Sequence, residues 1–351
     1  MKTIIQTMDR KNLNAKDFET AIQLLKEGQL VAFPTETVYG LGGNALDETA
    51  AKRIYEAKGR PSDNPLIVHI ADIKDLEELA VDIPEAAYKL ADAFWPGPLT
   101  MILKKSEIVP LSTSGGLSTV GIRMPSDPIA SMLIKESGLY IAAPSANSSG
   151  RPSTTKAEHV IEDLSGKISM IIDGGAVDIG LESTIVDLSG EKALILRPGF
   201  ITREQLMDVI GDVDYDKAVL KREANPNIVA KAPGMKYKHY APKGELTIYE
   251  GDMDKVIAKI NEQAREKVLA GESVAILATD ETKGNYHNGI VKSIGSRCDE
   301  KAIASHLFDV LREFDTLGIS YIYSESFADN NLGQAIMNRL LKAAGYHIIT
   351  V

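Results

Sequence analysis

Apolar residues occur along the chain in two patterns, short runs of strand length and repeats at the period of a helix. The region from residue 30 to 211 contains both patterns. Short apolar runs at 30–33 and 66–70 have the length of buried strands bounded by turn-forming residues. Between them, the apolar residues from 50 to 55 recur at the period of a helix, with Asp47 as its candidate N-cap. This alternation of strands and helices predicts an α/β domain with a mixed sheet.

A second pattern of strands and helices begins at residue 245. It predicts strands at 246–249, 274–278, 319–323 and 347–350, and helices at 253–269, 301–314 and 332–344. Alternation at this length is typical of a small parallel, Rossmann-like sheet with helices on both faces. No Gly-x-Gly-x-x-Gly follows its strands, and the chain contains no Gly-x-x-x-x-Gly-Lys-Ser/Thr. We therefore expect the chemistry in the first domain and a supporting role for the second.

The pattern divides the chain into a domain at 1–211, a linker at 212–243 and a domain at 244–351. A simple spacer would be rich in Gly and Ser or in acidic residues. The run from 231 to 242 instead carries two Tyr, one His, three Lys and one Met. We expect this linker to fold back onto a domain. Packing on a domain surface and closure over a site both stay open as its role.

Composition indicates an ordinary globular protein. The 351 residues, 44% apolar and 25% charged, are enough for two domains with cores. A single cysteine, Cys298, excludes an intrachain disulfide and suits a reducing, cytoplasmic setting. We expect neither a membrane span nor a secretion signal. The formal net charge of -10 argues against strong RNA binding and favours a small anionic ligand in a local basic pocket.

Two cations lie close together in the loop Lys-Gly-Arg-Pro-Ser-Asp-Asn-Pro at 58–65. On an extended backbone, Lys58 and Arg60 would point to one face, and Gly59 would let the backbone approach a ligand. Prolines 61 and 65 restrict the loop. A solvated surface pair is the ordinary alternative for two such charges.

Two common chemistries find no support. Ser145 lacks the flanking glycines of a hydrolase nucleophile, and the six histidines are scattered without a His-x-x-x-His. What remains is phosphate chemistry without a Walker loop, in which Mg²⁺ and the protein's cations together offset the negative charge of a nucleotide. The candidate cations are Lys58, Arg60, Arg123 and Arg197.

Seven motifs occur in order along the first domain. They are Pro-Thr-Glu-Thr-Val-Tyr-Gly-Leu-Gly at 34–42, Lys-Gly-Arg-Pro at 58–61, Asn-Pro-Leu-Ile-Val-His at 64–69, Trp-Pro-Gly-Pro-Leu-Thr at 95–100, Arg-Met-Pro at 123–125, Pro-Ser-Ala-Asn-Ser-Ser-Gly at 144–150 and Glu-Ser-Thr-Ile-Val-Asp at 182–187. Together they resemble the YrdC/Sua5 family. The linker ending His-Tyr-Ala-Pro at 239–242 and the C-terminal α/β domain resemble its long, two-domain Sua5 form. The resemblance implies a twisted, YrdC-like mixed sheet with helices.

The resemblance also implies an activity, that of an L-threonylcarbamoyladenylate synthase. Such an enzyme uses L-threonine, bicarbonate and ATP with Mg²⁺, and it releases pyrophosphate. Its product, threonylcarbamoyl-AMP, serves the t6A37 modification of tRNA and passes to a tRNA threonylcarbamoyltransferase complex. We expect at most a weak direct contact with RNA or tRNA.

Site residues carry over from the family motifs position by position. Catalysis is assigned to Lys58, Arg60, Ser145 and Asn147. ATP binding is assigned to Lys58, Arg60, Asn64, Thr119, Ser145, Ser153, Arg197, Gly234 and Tyr240. L-threonine binding is assigned to Thr35, Thr37, His69, Arg123, Ala143 and Ser183. No protein side chain is expected to bind the metal directly.

Three readings stay open for Glu36: a general base, a carboxylate that orients its loop, or a group that holds Mg²⁺ through water. For the linker we hypothesise a lid, residues 233–240, that closes over the bound substrates. Truncation after Gly211 should then lower activity sharply. Many relatives carry Ser where this chain has Ala232, which argues against a hydroxyl role there.

Two other functions are weighed against the synthase. A maturation factor that binds double-stranded RNA or tRNA would show salt-sensitive binding without turnover. A carbamoyl-transfer module like that of hydrogenase maturation proteins would use carbamoyl phosphate and would carry zinc-finger cysteines, which this sequence lacks.

Overall fold

A computed structural model of the protein describes residues 2–220, 230–233, 239–328 and 331–351. These residues form two compact units. The first contains residues 2–149, 153–220 and 230–233, and the second contains 150–152, 239–328 and 331–351.

The first unit is built on a mixed sheet. Its strands are β1 (Ile4–Thr7), β2 (Val31–Phe33), β3 (Gly40–Asn44), β4 (Ile67–His69), β5 (Leu99–Lys104), β6 (Thr119–Arg123), β7 (Ile141–Ala142), β8 (Met170–Asp173), β9 (Thr184–Asp187), β10 (Ala193–Arg197) and β11 (Val213–Tyr215). They lie in the order β1-β8-β2-β3-β7-β4-β6-β5-β9-β10-β11. Strand β4 runs parallel to β6 but antiparallel to β7. The predicted mixed sheet is therefore confirmed.

Helices cover both faces of this sheet. They are α1 (Glu19–Lys26), α2 (Glu48–Lys58), α3 (Asp75–Leu79), α4 (Glu85–Phe94), α5 (Leu111–Ser114), α6 (Pro128–Ser137), α7 (Ala157–Leu164), α8 (Arg203–Ile210) and α9 (Lys217–Leu220), with a 3₁₀ helix at Ala15–Phe18. Strand β2 shows the two-sided packing, because Ala32 lies in one core cluster while Val31 and Phe33 lie in the other.

Helix α2 carries the predicted anion-binding lysine at its last position. Its N-cap is Asp47, as predicted, and the carboxylate accepts from the Thr49 N–H at 2.8 Å. The helix ends at Gly59, whose φ of 62° is left-handed. The prediction that Lys58 and Arg60 share a face of an extended backbone is therefore wrong, since Lys58 is helical and the chain turns at Gly59.

The second unit is a small parallel sheet. Its elements are β12 (Glu245–Glu250), α10 (Met253–Leu269), β13 (Val274–Ala278), a 3₁₀ helix at Lys283–Asn285, β14 (Ile290–Ser293), α11 (Glu300–Thr316), β15 (Tyr321–Glu325), α12 (Asn331–Ala343) and β16 (Ile348–Thr350). Each recorded strand pair is parallel, in the order β14-β13-β15-β12-β16. The predicted parallel α/β domain is confirmed.

Parts of the predicted linker have regular structure. Strand β11 and helix α9 lie in the first unit, within the segment that the sequence assigns to the linker. Only Val213 is fully buried in β11, so the strand leaves almost no apolar signal. Residues 221–229 and 234–238 of the linker lie outside the described residues. Among the helices that the structure describes, none is both long and apolar enough to traverse a bilayer.

Candidate active site

The ammonium group of Lys58 is held against the loop that carries Ser145 and Asn147. Lys58 Nζ donates to the carbonyl oxygens of both residues, and the Lys58 carbonyl oxygen accepts from the Ser149 N–H at 2.8 Å. The Ser145 hydroxyl donates to Asn147 Oδ1 at 2.5 Å. Because Lys58 is only 4% exposed, its charge and the polar loop form one fixed group, as stable anion binding requires.

Strand β3 holds the same loop through the backbone. The Leu41 N–H donates to the Pro144 carbonyl, and the Ala146 N–H donates to the Tyr39 carbonyl, each at 2.8 Å. Gly42 in turn lets β3 pack closely on β2, since a Cβ at this position would lie 2.6 Å from the Phe33 ring. The position of the loop thus depends on the motif at 34–42.

The guanidinium group of Arg60 lies against the loop that follows it. Its Nη2 donates to the carbonyl oxygens of Asn64 at 3.3 Å and Pro65 at 3.1 Å. The Tyr55 hydroxyl donates to the same Asn64 carbonyl at 3.2 Å, and burial raises the pKa of Tyr55 to about 12. The side-chain oxygen of Asn64 is buried, and no hydrogen-bond partner for it occurs among the described residues. It is therefore placed to accept a hydrogen bond from a ligand.

A buried ion pair joins Glu36 to Arg123 at the end of β6. Arg123 Nη2 lies 2.9 Å from Glu36 Oε1, and both side chains are less than a tenth exposed. His69 lies beside Arg123 because β4 and β6 pair in that register. Ala143 lies at the same edge, since its N–H donates to the Ile67 carbonyl at 2.9 Å. The structure therefore brings three of the predicted L-threonine-binding residues together.

His69 is a neutral group in this cluster. Burial, and then the positive charge of Arg123, lower the pKa of His69 from 6.5 to about 3. One ring nitrogen, Nδ1, lies 3.3 Å from the Ile141 carbonyl oxygen. This contact suits a neutral tautomer with the proton on Nδ1, which leaves Nε2 as an acceptor.

The shifted pKa of His69 predicts a loss of stability in mild acid. The unfolded chain takes up the proton first as the pH falls, so the contribution is full above pH 6.5 and declines toward pH 3. At about 1.4 kcal/mol per pH unit, the free energy of unfolding should be about 2 kcal/mol lower at about pH 5 than at neutral pH. Urea titrations at both pH values measure this loss.

In the variant His69→Gln the acid-dependent loss should shrink by that amount. The exposed His287→Gln is the matched control and should keep the parent's pH dependence. Equal pH profiles for His69→Gln and the parent would mean that His69 takes up its proton at the same pH in the folded protein as in the unfolded chain.

Ser183 and Arg197 form a second polar group near β5 and β9. Arg197 Nε donates to the Ser183 carbonyl oxygen at 3.0 Å, and Nη2 donates to the Ser183 hydroxyl at 3.1 Å. The same hydroxyl lies 2.8 Å from that of Thr100. Gly199 packs closely on the backbone next to Ser183, because a Cβ at Gly199 would lie 2.5 Å from the Thr184 nitrogen. The resemblance implies that Ser183 binds threonine and that Arg197 binds the nucleotide, and the two side chains contact each other directly.

The other predicted site residues are distributed over both units. The hydroxyls of Thr35 and Thr37 are buried and lie 2.9 Å apart. Ser153 donates to Glu182. Thr119 begins β6, four residues before Arg123, and is therefore about 13 Å from it.

Tyr240 is buried within the second unit, where its ring centroid lies 5.1 Å from that of Phe308. Gly234, and with it most of the lid at 233–240, lies outside the described residues.

Three polar groups of the site were missed or left open by sequence reasoning. Glu36, Thr100 and Glu182 each lie inside a quoted motif, at 34–42, 95–100 and 182–187. Their positions in those motifs were the available signal, but their partners are distant in sequence. Within the described part of the chain, no group of three or more His, Cys, Asp or Glu is placed to hold a metal ion.

The fold and the site define an α/β protein in which a buried lysine and buried arginines are held against polar loops. Two family models match it: one described as telomere recombination (Sua5/YciO/YrdC) at residues 23–199, and one described as the threonylcarbamoyl-AMP synthase C-terminal domain at residues 201–345. The chain therefore belongs to the Sua5/YciO/YrdC family, in its two-domain Sua5 form. The resemblance stated from the motifs is confirmed.

Full-length relatives agree with this assignment. A threonylcarbamoyl-AMP synthase of Pyrococcus abyssi is 50% identical over 342 residues, which are 97% of this chain and 98% of the relative. The protein of the same name from Bacillus subtilis is 49% identical over 353 residues, 99% of this chain and 100% of the relative. The crystal structure of P. abyssi Sua5 complexed with L-threonine matches with a TM-score of 0.93 at 48% identity, covering 99% of this chain and 100% of that one.

Proposed function

We propose that the protein is a threonylcarbamoyl-AMP synthase that converts L-threonine, bicarbonate and ATP to threonylcarbamoyl-AMP and pyrophosphate. One observation carries the proposal: the buried Lys58 ammonium is fixed on the Ser145–Asn147 loop. The full-length relatives of this chain are named for the same activity.

The reaction brings two anions into contact. The amine of L-threonine takes up CO₂ as a carbamate, a carbamate oxygen bonds to the α-phosphorus of ATP, and the bond to pyrophosphate breaks. Fixed cations lower the repulsion between the carbamate and the phosphates, and they need no rearrangement at the moment of attack. Lys58 and Arg60 supply such charges, and the Ser145 and Asn147 side chains supply neutral donors.

Each substrate has a suitable partner group. The guanidinium of Arg123 suits the α-carboxylate of L-threonine, and the buried hydroxyls of Thr35 and Thr37 suit polar atoms of the same substrate. Arg60 and Asn64 suit the nucleotide. Mg²⁺ would enter with the ATP phosphates, which is how this ion is commonly held. When bound, it would neutralise phosphate charge.

The wider role follows from the product. Threonylcarbamoyl-AMP is an activated acyl adenylate, and we place the protein in the cytoplasm as the supplier of a tRNA threonylcarbamoyltransferase complex for t6A37. The net charge of -10 favours at most a weak direct contact with tRNA.

The test is a turnover assay with the full chain, ATP, Mg²⁺, bicarbonate and each amino acid in turn. Pyrophosphate should appear only when L-threonine and bicarbonate are both present, and mass spectrometry should detect threonylcarbamoyl-AMP. Salt-sensitive RNA binding without such turnover would favour the maturation-factor alternative. Use of carbamoyl phosphate in place of bicarbonate would favour the carbamoyl-transfer alternative.

A further inference from the structure

The carboxylate of Glu36 is buried with its hydrogen-bonding capacity unused. The residue is 7% exposed, and neither Oε1 nor Oε2 has a hydrogen-bond partner within the described part of the chain. The carboxylate forms an ion pair with Arg123, whose Nη2 lies 2.9 Å from Oε1. Buried carboxylates are ordinarily satisfied by several donors, because removal of a charge from water is costly.

The guanidinium group of Arg123 likewise has donor groups that are not used in hydrogen bonds within the described part of the chain. Its Nε and Nη2 are buried, and among the residues that the structure describes neither has a hydrogen-bond partner of normal geometry. Beside it, His69 is neutral because burial lowers its pKa to about 3, so it supplies no compensating charge. Two opposite charges therefore lie in contact with unused acceptors on one and unused donors on the other. This arrangement is suited to a ligand that carries both signs of charge.

An α-amino acid is such a ligand. Its carboxylate and its ammonium group are bonded to the same carbon, so a carboxylate on the Arg123 guanidinium places the ammonium next to Glu36. Insertion of the zwitterion replaces one ion pair with two, and the charges alternate in sign. The hydroxyls of Thr35 and Thr37 flank Glu36 in sequence and are neutral, so they cannot replace its charge.

Loop structure does not require the Glu36 carboxylate. The backbone at this point is held by the Ile179 N–H, which donates to the Glu36 carbonyl at 2.9 Å, and by the Gly180 N–H, which donates to the Thr37 carbonyl at 3.1 Å. The side chain contributes nothing to these contacts. A role for the carboxylate in binding or chemistry therefore explains its burial better than a role in loop folding.

We propose that Glu36 binds the α-ammonium group of the amino-acid substrate and accepts the proton whose loss makes the amine nucleophilic. The inference rests on the proposed function for the identity of the co-reactant. The N–H bond breaks, its electron pair stays on nitrogen, and the proton moves to a Glu36 oxygen. Bicarbonate takes up a proton, its C–OH bond breaks, and water leaves CO₂ behind. The amine then forms an N–C bond to this CO₂, one C–O π pair moves onto oxygen, and the second nitrogen proton leaves to water.

Calorimetry on the full chain, with L-threonine and 2,3-dihydroxybutanoate as paired probes, tests the binding part. The second compound keeps the carboxylate and the 3-hydroxyl group of L-threonine, but it has a hydroxyl in place of the α-ammonium group. Glu36→Gln should weaken L-threonine binding by about 10- to 100-fold, the usual effect of losing a charged hydrogen bond, and should change binding of the analogue by less than about 3-fold. An equal loss for both probes would overturn the proposal, because Glu36 would then act only by holding Arg123.

Asp127→Asn is the matched control. Asp127 is also a buried carboxylate paired with an arginine, Arg10, at 2.7 Å, but it caps α6. Its variant should keep the parent's preference for L-threonine over the analogue. Loss of that preference in Asp127→Asn as well would assign the Glu36→Gln effect to general destabilisation and overturn the proposal.

Kinetics separate proton acceptance from binding. At saturating L-threonine, kcat of Glu36→Gln should fall by about 10²-fold, as is common for loss of a general base. An unchanged kcat would overturn the proton-transfer part. If the parent protein releases no pyrophosphate with L-threonine and bicarbonate, the proposed function fails, whereas the paired-probe calorimetry still judges the ammonium contact by itself.

Discussion

Lys58→Ala should lower kcat/KM for ATP by about 10³-fold while the protein stays folded. Loss of a single fixed donor from a catalytic anion site costs about 10² to 10³ in rate. Lys58 sits at the upper end of this range because its Nζ also holds the carbonyl oxygens of Ser145 and Asn147. Alanine removes both the charge and the anchor of the loop. Pyrophosphate release at varied ATP concentration measures the effect.

Two variants make this result specific. Lys52→Ala removes an exposed lysine from the same helix and should keep the parent rate. Lys58→Arg retains the charge but replaces a compact ammonium by a planar guanidinium, which cannot donate to the same two carbonyls in the same space. It should recover less than about a tenth of the activity. Lys58→Ala at the parent rate would remove Lys58 from the mechanism.

Long periodic elements with clear caps were the predictable part of the fold. Helix Met253–Leu269 and strand Val274–Ala278 match their predicted bounds. Asp252 caps that helix, and its apolar face repeats over 17 residues. Strand Ile290–Ser293 was missed because it has no fully buried residue, and edge strands of this kind carry little apolar signal.

Site chemistry was predictable only as a set of residues. Motif order identified Lys58 and Arg60, but the extended backbone assumed for them is replaced by a helix end and a left-handed Gly59. The neutrality of His69 depends first on its burial and then on Arg123, its neighbour across β4 and β6, because both lower the pKa of His69. Such a pairing joins residues 54 positions apart, and a single sequence gives no register for parallel strands.

Removal of Arg123 should produce the largest change in stability. Arg123→Leu leaves Glu36 as a buried carboxylate without its ion-pair partner. Breaking a buried ion pair by removing one partner commonly costs about 3–5 kcal/mol. The exposed pair Lys89 and Glu85, 2.8 Å apart, is the control. Lys89→Leu should cost less than about 1 kcal/mol. Urea unfolding of each variant measures these values.

The second substitution separates lost charge from lost packing. In Arg123→Leu/Glu36→Leu no buried charge remains uncompensated, and the double variant should regain most of the lost free energy, since apolar replacement of a whole buried pair is often neutral. Activity should not return, because the double variant has no group for either charge of the amino acid. A double variant as unstable as Arg123→Leu would mean that the arginine stabilises the core through its packing. Recovery of stability without recovery of activity would show that the fold does not need the pair of charges, whereas the activity does.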